Sequence, residues 1–389
     1  MDEKINKLST TQIKTRERFL LKVTSLPVAP GHELAVMKFV EGWVRNYPGL
    51  VLNHDKSGNL LVARKDFKKA CRKKKPLFIT AHMDHPAFVV ISVDGREVKL
   101  EFRGGVHDPY FNDTPIEIFN EEFKKSFIAK IVSLNPTVKP FKTVMARLDK
   151  PGQQIKAGCI GRWKFPGVGV KKGMVFAHAC DDLACIAAAL VAFEDISLDR
   201  KLGHVALLFT RAEEIGFVGA IGAARGGTIP KGSRLICLEC SRSFPHDSPI
   251  GSGPIVRVGD RLSVFTPELT NALSSIATSH QKNFPGFRFQ RKLMAGGVCE
   301  ATAFSSYNFS SSCLCLALGN YHNMVDVDTV LSGKKEARVA HEFISASDFH
   351  GLVELLGTIA INLDKPGPTQ RDSAEEIWAE RAGILGPVS

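Results

Sequence analysis

The sequence lacks the features that would place the protein in a membrane or outside the cell. Its longest uninterrupted apolar run ends at Phe193 and covers only about half of the roughly 20 residues that a transmembrane helix needs. The amino-terminal residues are polar and charged, without the apolar stretch of a secretory signal. The cysteines number nine, an odd count scattered through 389 residues, which is not typical of a secreted disulfide framework. We therefore expect a cytoplasmic protein that has no membrane partner.

The composition and length predict a folded protein of more than one part. Apolar residues make up 44% of the sequence and charged residues 23%, which is typical of globular chains and excludes a disordered or fibrous protein. We find no internal repeat. At roughly 150 residues per domain, the length of 389 residues predicts two domains, or one large domain with an insertion.

The positive net charge of the chain is concentrated in one segment. The sequence carries 51 basic and 40 acidic residues, a net charge of +11, and residues 64–75 contribute eight basic residues and one acid, or +7. The remaining residues therefore carry only +4, which does not favour a general nucleic-acid surface. We interpret residues 64–75, the basic loop, as a solvated connection; a patch that binds polyanions is the alternative.

Apolar runs alternate with helical patterns along most of the chain, which predicts an α/β fold. Apolar residues recur at helical spacing over residues 32–47, and a largely apolar helical stretch covers 183–193. Short continuous apolar runs are typical of strands that are covered on both faces, and they occur at 77–81, 205–210, 235–238 and 313–318. We predict a mixed sheet flanked by helices.

Residues 93–173 differ in composition from the segments on both sides. They are rich in glycine and proline around short alternating runs such as Glu97–Phe102, a pattern typical of a small β domain. Because the α/β pattern continues on both sides, we predict that this β domain is inserted into a main domain formed by residues 1–92 and 174–389.

Side chains that can bind metal follow the ends of predicted strands or precede a predicted helix at five places. In open α/β sheets ligands bind beyond the carboxyl ends of the strands, so these side chains can converge. Each place alone has a simpler explanation, since adjacent acids often cap helices and a single histidine is often a structural residue. Five such coincidences in one sheet favour a functional site. The residues are His82 with Asp84, Asp181 with Asp182, Glu213 with Glu214, Glu239, and His322.

The residue types select the kind of metal. Two histidines and three carboxylates suit zinc, cobalt or manganese, and they lack the thiolates of a structural zinc site. One carboxylate that bridges two ions would give a dinuclear centre. Of two adjacent acids, one can bind metal while its neighbour handles protons.

These residues resemble those of the dinuclear zinc aminopeptidases, in the subgroup that contains glutamyl aminopeptidase, the tetrahedral aminopeptidases and proteins described as endoglucanase M. The resemblance begins at residues 26–33 and covers most of the chain. Its most specific element is the Glu-Glu-x-Gly-x-x-Gly-Ala string at 213–220, with paired acids 32 to 33 residues upstream. His82 and Asp181 lie 99 positions apart, so the additional domain falls between the first two predicted ligands, as in this subgroup.

The resemblance implies a zinc aminopeptidase-like fold, with the main domain as the catalytic metallopeptidase domain and the inserted β domain as a possible contact in a homo-oligomer. It also implies two divalent ions per chain, with zinc expected first and cobalt or manganese as alternatives. Asp181 would bridge the ions, His82 and His322 would each serve one ion, and Glu214 and Glu239 would complete the two sets. The sequence does not settle which of these two acids serves which ion.

Three further residues receive roles from the resemblance. Glu213 would be the general base that takes a proton from water and returns it to the leaving amine. Asp84 would hydrogen-bond the far ring nitrogen of His82 and so orient that ring. Asp182 would shape the turn after Asp181.

Several positions depart from the family pattern. Leu183 stands where arginine is usual, and Glu239 stands where aspartate is more common. All five ligands and the base remain chemically competent, so we favour an active enzyme. The other departures are Cys299 and Glu300 in place of threonine and aspartate, and Asn323 and Asp326 in place of serine and glutamate.

We interpret the protein as a metal-dependent aminopeptidase that removes N-terminal residues from peptides through a water activated by two metal ions. One alternative is a metal-dependent deacylase or amidase acting on N-acyl amino acids. Another is a non-catalytic, polyanion-associated protein that uses the basic loop. A glucanase has little support, because carboxylates committed to metal leave no pair for glycoside hydrolysis. We expect a peptide substrate and no nucleic-acid partner.

Overall fold

The structure is a computed structural model that describes residues 8–152, 154–365 and 370–386. The helices are α1 (Thr10–Thr24), α2 (Leu34–Val44), α3 (Phe67–Ala70), α4 (Leu183–Leu198), α5 (Val218–Gly226), α6 (Pro267–Asn283), α7 (Glu300–Ser306), α8 (Val327–Leu331), α9 (Ala346–Asn362) and α10 (Gln370–Arg381). The strands are β1 (Leu50–His54), β2 (Leu60–Arg64), β3 (Leu77–His82), β4 (Ala87–Asp94), β5 (Glu97–Arg103), β6 (Pro115–Phe119), β7 (Ser126–Asn135), β8 (Lys142–Leu148), β9 (Ile160–Trp163), β10 (Gly169–Lys171), β11 (Met174–Ala177), β12 (Val205–Thr210), β13 (Arg234–Arg242), β14 (Ile255–Gly259), β15 (Gln290–Leu293), β16 (Ser310–Leu318) and β17 (Glu342–Ser345).

An eight-stranded mixed sheet forms the centre of the main domain. Its strand order is β1-β2-β12-β3-β13-β16-β14-β15. The central strands β12, β3, β13 and β16 run parallel to one another. β2 and β14 join this parallel centre in the antiparallel direction. The predicted mixed sheet flanked by helices is confirmed, and the four parallel strands end at the same edge of the sheet.

The sheet separates two apolar layers. α1, α2, α4, α6 and α9 contribute buried side chains to one layer, and α3, α5 and α7 contribute to the other. Within β3, Ile79 belongs to the first layer and Phe78 to the second, as the alternation of side chains along a strand requires. Both faces of the sheet are therefore covered, which explains why its central strands are continuous apolar runs.

Helix α4 lies at the centre of the first layer and fixes the position of the acid pair that precedes it. Its residues are apolar on nearly all sides, and Leu183 through Phe193 are all buried. A helix of this kind is stable only inside a core, and α4 packs against β3, α1 and α9. Asp182 is its N-cap residue, so the start of this buried helix holds Asp181 and Asp182 beside the end of β3.

A closed barrel of six strands lies between β3 and α4 in the sequence. Its strand order is β4-β5-β8-β7-β6-β9. An aromatic cluster fills it: the ring centroids of Phe88 and Trp163 are 4.8 Å apart, and those of Phe102 and Phe111 are 4.9 Å apart. The barrel strands span 87–163, because β4 begins shortly after β3, whereas β10 pairs with β11 and β11 pairs with β17. The division of the chain at residues 93 and 173 stays a prediction.

The basic loop contains a short helix and packs against the sheet through Phe67. Phe67 of α3 is buried, and its ring centroid lies 5.8 Å from that of Phe78. Most of the lysines in the loop are exposed, and Lys74 forms an ion pair of 3.6 Å with Asp364. The loop enters β3 at its amino-terminal end, opposite to His82.

Within the described ranges, no helix is both long and apolar enough to cross a membrane.

We predict that the charge of the basic loop does not influence chemistry at the other end of β3. Five strand residues of about 3.3 Å each put the loop roughly 16 Å from His82, about twice the Debye length of roughly 8 Å at physiological ionic strength. Replacing Lys65, Lys68, Lys69 and Lys73 with glutamine should lower the isoelectric point and leave kcat/KM for a neutral substrate within about threefold. A tenfold loss on neutral substrates would contradict the prediction, and steady-state kinetics decides between the two results.

Candidate metal centre

The parallel strand ends and the start of α4 bring all five predicted ligands to one place. His82 is the last residue of β3, and Glu239 lies near the end of the neighbouring β13. Glu214 follows β12 in a turn, and His322 follows β16. Asp181 reaches the same place from the other direction, just before α4.

The five side chains form two groups of three that share Asp181. One group is His82, Asp181 and Glu239, and the other is Asp181, Glu214 and His322. Within each group the ring nitrogens and carboxylate oxygens that could bind an ion lie within 4.8 Å of one another. The sharing of Asp181 between the groups is the geometry expected of a bridging carboxylate.

The individual distances show how Asp181 is shared. Its Oδ1 lies 3.4 Å from Nε2 of His82, and its Oδ2 lies 3.8 Å from Nε2 of His322. Nε2 of His82 is 4.0 Å from Oε2 of Glu239, whereas Nε2 of His322 is 3.2 Å from Oε1 of Glu214. The structure therefore pairs Glu239 with His82 and Glu214 with His322, a pairing that the sequence left open.

The donor atoms of this cluster suit divalent cations. Oδ1 of Asp181 and Oε1 of Glu239 are buried and have no hydrogen-bond partner among the described residues. Unpaired buried carboxylate oxygens are costly, and a cation bound between them removes that cost. The ion pairs within the cluster involve histidines and no lysine or arginine of the described chain. The mixed nitrogen and oxygen set matches zinc, cobalt or manganese.

The shifted pKa values of the cluster residues also fit a site for divalent cations. Burial alone would lower the pKa of both histidines, but the nearby carboxylates more than offset this effect. Glu213 is the chief cause for His82, whose pKa lies well above its usual value. Glu214 is the chief cause for His322, whose pKa rises to about 9. Burial likewise raises the pKa of Glu239 well above its ordinary value, and the charge of Glu213 adds to this effect.

Glu213 lies beside the group of His82, Asp181 and Glu239, and Asp84 holds its backbone. Oε2 of Glu213 is 3.9 Å from Nε2 of His82. Oδ1 of Asp84 accepts the backbone N–H of Glu213 at 2.9 Å, and Oδ2 accepts that of Glu214 at 3.0 Å. Nδ1 of His82 is 3.5 Å from Oδ1 of Asp84 and 3.2 Å from the backbone carbonyl of the same residue. The orienting role of Asp84 toward His82 stays a prediction, and the carboxylate also fixes the turn of the two glutamates.

The segment before Glu213 is held by residues that sequence reasoning did not assign to the site. Glu33 is fully buried and accepts the backbone N–H of Ala212 at 3.0 Å, while Arg211 donates its Nε–H to the same carboxylate at 2.7 Å. Glu33 belongs to the segment at 26–33 where the family resemblance begins, so that resemblance could have marked Glu33 as part of the site. Gly219 completes the packing, because a Cβ there would lie 2.4 Å from the backbone of Arg211.

Two other buried residues beside Asp181 were also missed. Nδ1 of His85 lies 2.6 Å from the carbonyl oxygen of Asp181, and its Nε2 lies 3.1 Å from Oδ1 of Asn323. Glu342 accepts the backbone N–H groups of Asp181 and His322 at 3.0 Å and 2.8 Å. No local pattern marks Glu342, since it lies 161 residues after Asp181 in the sequence.

The departures from the family pattern take different places in the structure. Leu183 is fully buried in the first apolar layer. Glu300 is buried at the start of α7, and burial raises its pKa to about 7. Asn323 donates its Nδ2–H to the carbonyl of His178 at 2.9 Å. Asp326 lies away from the cluster, where it forms an ion pair of 2.7 Å with Lys335.

We predict that the ion-free protein loses stability as the pH rises. The folded-state pKa values of Glu300, Glu239 and His322 all lie above their ordinary values, so the folded chain retains protons that the unfolded chain releases. Stability from these groups is complete below about pH 4.5 and is lost progressively up to about pH 9. In the lower part of this range burial lowers the pKa of other histidines, among them His178 and His350, and their contribution to stability rises with pH. Above about pH 6.5, the ordinary pKa of histidine, that opposing contribution is complete. The melting temperature of chelator-treated protein should therefore fall from about pH 6.5 to about pH 9, and zinc should restore it most at the alkaline end. A flat profile after chelation would contradict the prediction.

The mixed sheet and the barrel belong to an α/β protein that carries, at the strand ends, a buried cluster of histidines and carboxylates able to hold metal ions. A family model described as M42 glutamyl aminopeptidase matches residues 58–334. The chain therefore belongs to the M42 glutamyl aminopeptidase family, whose members are metal-dependent peptide hydrolases, and the resemblance inferred from the sequence is confirmed.

Solved structures confirm the fold. The TET1 peptidase of Pyrococcus horikoshii superposes with a TM-score of 0.69 at 18% identity, covering 89% of this chain and 99% of that chain. An aminopeptidase from the archaeon Desulfurococcus kamchatkensis gives 0.70 at 17% identity, covering 92% and 99%. Yeast aminopeptidase 1 gives 0.61 at 12% identity, covering 90% and 97%. No curated protein sequence matches the chain.

Proposed function

We propose that the protein is a dinuclear metal-dependent aminopeptidase that removes N-terminal residues from peptides. One observation carries the proposal: the two oxygens of the Asp181 carboxylate face two separate histidines, at 3.4 Å and 3.8 Å. Each histidine also has a further carboxylate nearby, Glu214 for His322 and Glu239 with Glu213 for His82. A single ion would leave one of these pairs unexplained. The family membership supplies the reaction class.

In this proposal each ion has three protein ligands, which leaves room for water and substrate. His82, Asp181 and Glu239 hold one ion, and Asp181, Glu214 and His322 hold the other. Zinc is the first expectation, with cobalt or manganese as alternatives. Divalent ions held by these residues would supply Lewis-acid activation of the peptide carbonyl and of a water molecule.

Glu213 is proposed as the general base of the reaction. It adjoins the cluster, is mostly buried, and is not needed to complete either group of three. Burial raises its pKa well above the ordinary carboxyl value. Asp84 accepts the backbone N–H groups of Glu213 and Glu214, so it fixes the backbone of the proposed base and of the neighbouring proposed ligand. The proton taken from water would pass through Glu213 to the leaving amine.

The proposal extends to the assembly and the location of the protein. The Pyrococcus TET1 peptidase can assemble into a tetrahedron or a large octahedral shell. By analogy we propose a homo-oligomer, with the barrel as a possible contact surface. All nine cysteines are free thiols, which is compatible with a reducing cytoplasm.

A substrate panel with metal analysis tests the proposed function. Purified protein should contain divalent transition metal and hydrolyse aminoacyl chromogenic substrates that carry a free amine. The same substrates with an acetylated amine should not react, and a chelator should abolish the reaction. Preference for the acetylated substrates would indicate a deacylase. A protein that is free of metal and binds salt-sensitively to polyanions would indicate the non-catalytic alternative.

A further inference from the structure

Glu342 is a buried carboxylate that serves two segments of the candidate metal centre at once. Its side chain is fully buried, and it accepts one backbone N–H with each oxygen. Oε2 accepts from Asp181 at 3.0 Å, and Oε1 accepts from His322 at 2.8 Å. Among the described residues Glu342 forms no ion pair, so these two N–H groups are the main compensation for burying its charge.

The two segments that Glu342 joins are otherwise far apart in the chain. Asp181 precedes α4, while His322 lies in a turn after β16. Glu342 reaches both because it begins β17, which pairs with β11 through the register Glu342 to Ala177. β11 ends shortly before Asp181, so the same strand pair fixes the carboxylate and one of its donors.

The backbone at His322 needs support of this kind. Its φ angle is 54°, and the flanking Asn320 and Asn323 also have positive φ angles of 53° and 65°. Residues other than glycine rarely adopt this left-handed conformation, and it persists where surrounding contacts enforce it. The ring is anchored separately, since Nδ1 of His322 lies 2.7 Å from the carbonyl oxygen of Gly105. Glu342 thus holds the backbone of His322 while Gly105 holds its ring.

We infer that Glu342 is a positioning residue that sets the distance between Asp181 and His322 and so shapes the group that also contains Glu214. This inference rests on the proposed function. Asp181 belongs to both groups of ligands, whereas His322 belongs to one. A change at Glu342 should therefore weaken the site of Asp181, Glu214 and His322 more than the site of His82, Asp181 and Glu239.

Glu342→Gln tests the inference because it keeps the shape of the side chain. The amide has one acceptor oxygen and one donor group, so it can accept only one of the two N–H groups and must face the other with a donor. Residues that orient metal ligands typically contribute about 10–100-fold to metal affinity. Glu336→Gln is the matched control, because Glu336 is exposed in the same segment between His322 and Glu342.

The two sites can be separated by making the change in single-site backgrounds. Zinc affinity is measured by competition with a fluorescent chelator, on protein carrying either Glu239→Ala or Glu214→Ala. In the Glu239→Ala background, Glu342→Gln should weaken the remaining site by about 10–100-fold. In the Glu214→Ala background the loss should be clearly smaller, and Glu336→Gln should change neither affinity.

Each outcome of this experiment decides a separate question. Equal losses in both backgrounds, or no loss in either, would overturn the inference and leave the proposed function standing. An unmodified protein that binds no divalent ion would instead overturn the proposed function. If Glu342→Gln does not fold, as judged by circular dichroism, Glu342→Asp replaces it. The shorter arm keeps the charge but cannot reach both N–H groups, so it should show the same difference between the two backgrounds.

Discussion

Glu213→Gln should lower kcat by about 10²–10⁴-fold while both metal ions stay bound. The amide keeps the size of the side chain but cannot accept a proton, and Glu213 is not needed to complete either ligand group that shares Asp181. The loss should therefore appear in kcat rather than in metal content. Steady-state kinetics on a free-amine substrate, with elemental analysis of the same preparation, measures both quantities.

Glu214→Gln is the matched control for this prediction, since the two glutamates are adjacent and share the carboxylate of Asp84. It removes the negative charge of a carboxylate whose Oε1 lies 3.2 Å from Nε2 of His322, so it should weaken one metal site. Added metal should then restore part of its activity, whereas Glu213→Gln should not respond. Metal loss at 213 together with a pure kcat effect at 214 would show that the two roles are exchanged.

Asp181→Ala should remove both ions, because Asp181 belongs to both ligand groups. Each site would retain only two protein ligands, fewer than the three of a typical catalytic zinc site. Activity should fall to background, and elemental analysis should find little metal after dialysis. Circular dichroism on the same preparation separates loss of the ligand from loss of the fold.

Glu239→Ala and Glu214→Ala are the controls for the bridging role, because each belongs to one of the two Asp181-centred groups. Each should retain about one ion per chain, in contrast to Asp181→Ala. If Asp181→Ala still binds two ions, or if Glu239→Ala loses both, the sharing of Asp181 is wrong. Purified active protein without any divalent transition metal would refute the whole assignment.

Local sequence patterns were sufficient to select the five candidate ligands that the fold brings together. The strand runs at 77–81 and 205–210 are continuous and apolar, so their ends could be located without a structure. Side chains that can bind metal are conspicuous at such ends, as His82 and Glu239 show. The α/β class and the presence of an additional β-rich segment followed from equally local patterns.

The pairing of acids with histidines required the tertiary structure. β3 lies between β12 and β13, and β13 lies between β3 and β16, an order that differs from the order along the chain. The side chains that face one another across these strand ends therefore depend on sheet order and register. Glu239 meets His82, and Glu214 meets His322, for this reason.

The residues that hold the ligands in place were also decided only by the fold. Glu33, His85 and Glu342 act on backbone groups of other segments, and such contacts leave no spacing or periodicity in the sequence. The extent of the barrel was also decided by the fold. Its strands run from 87 to 163, because strand pairing rather than composition determines where a sheet ends. Local patterns record which side chains are buried or capped, whereas hydrogen bonds between distant segments form only when packing has fixed the register of the strands that carry them.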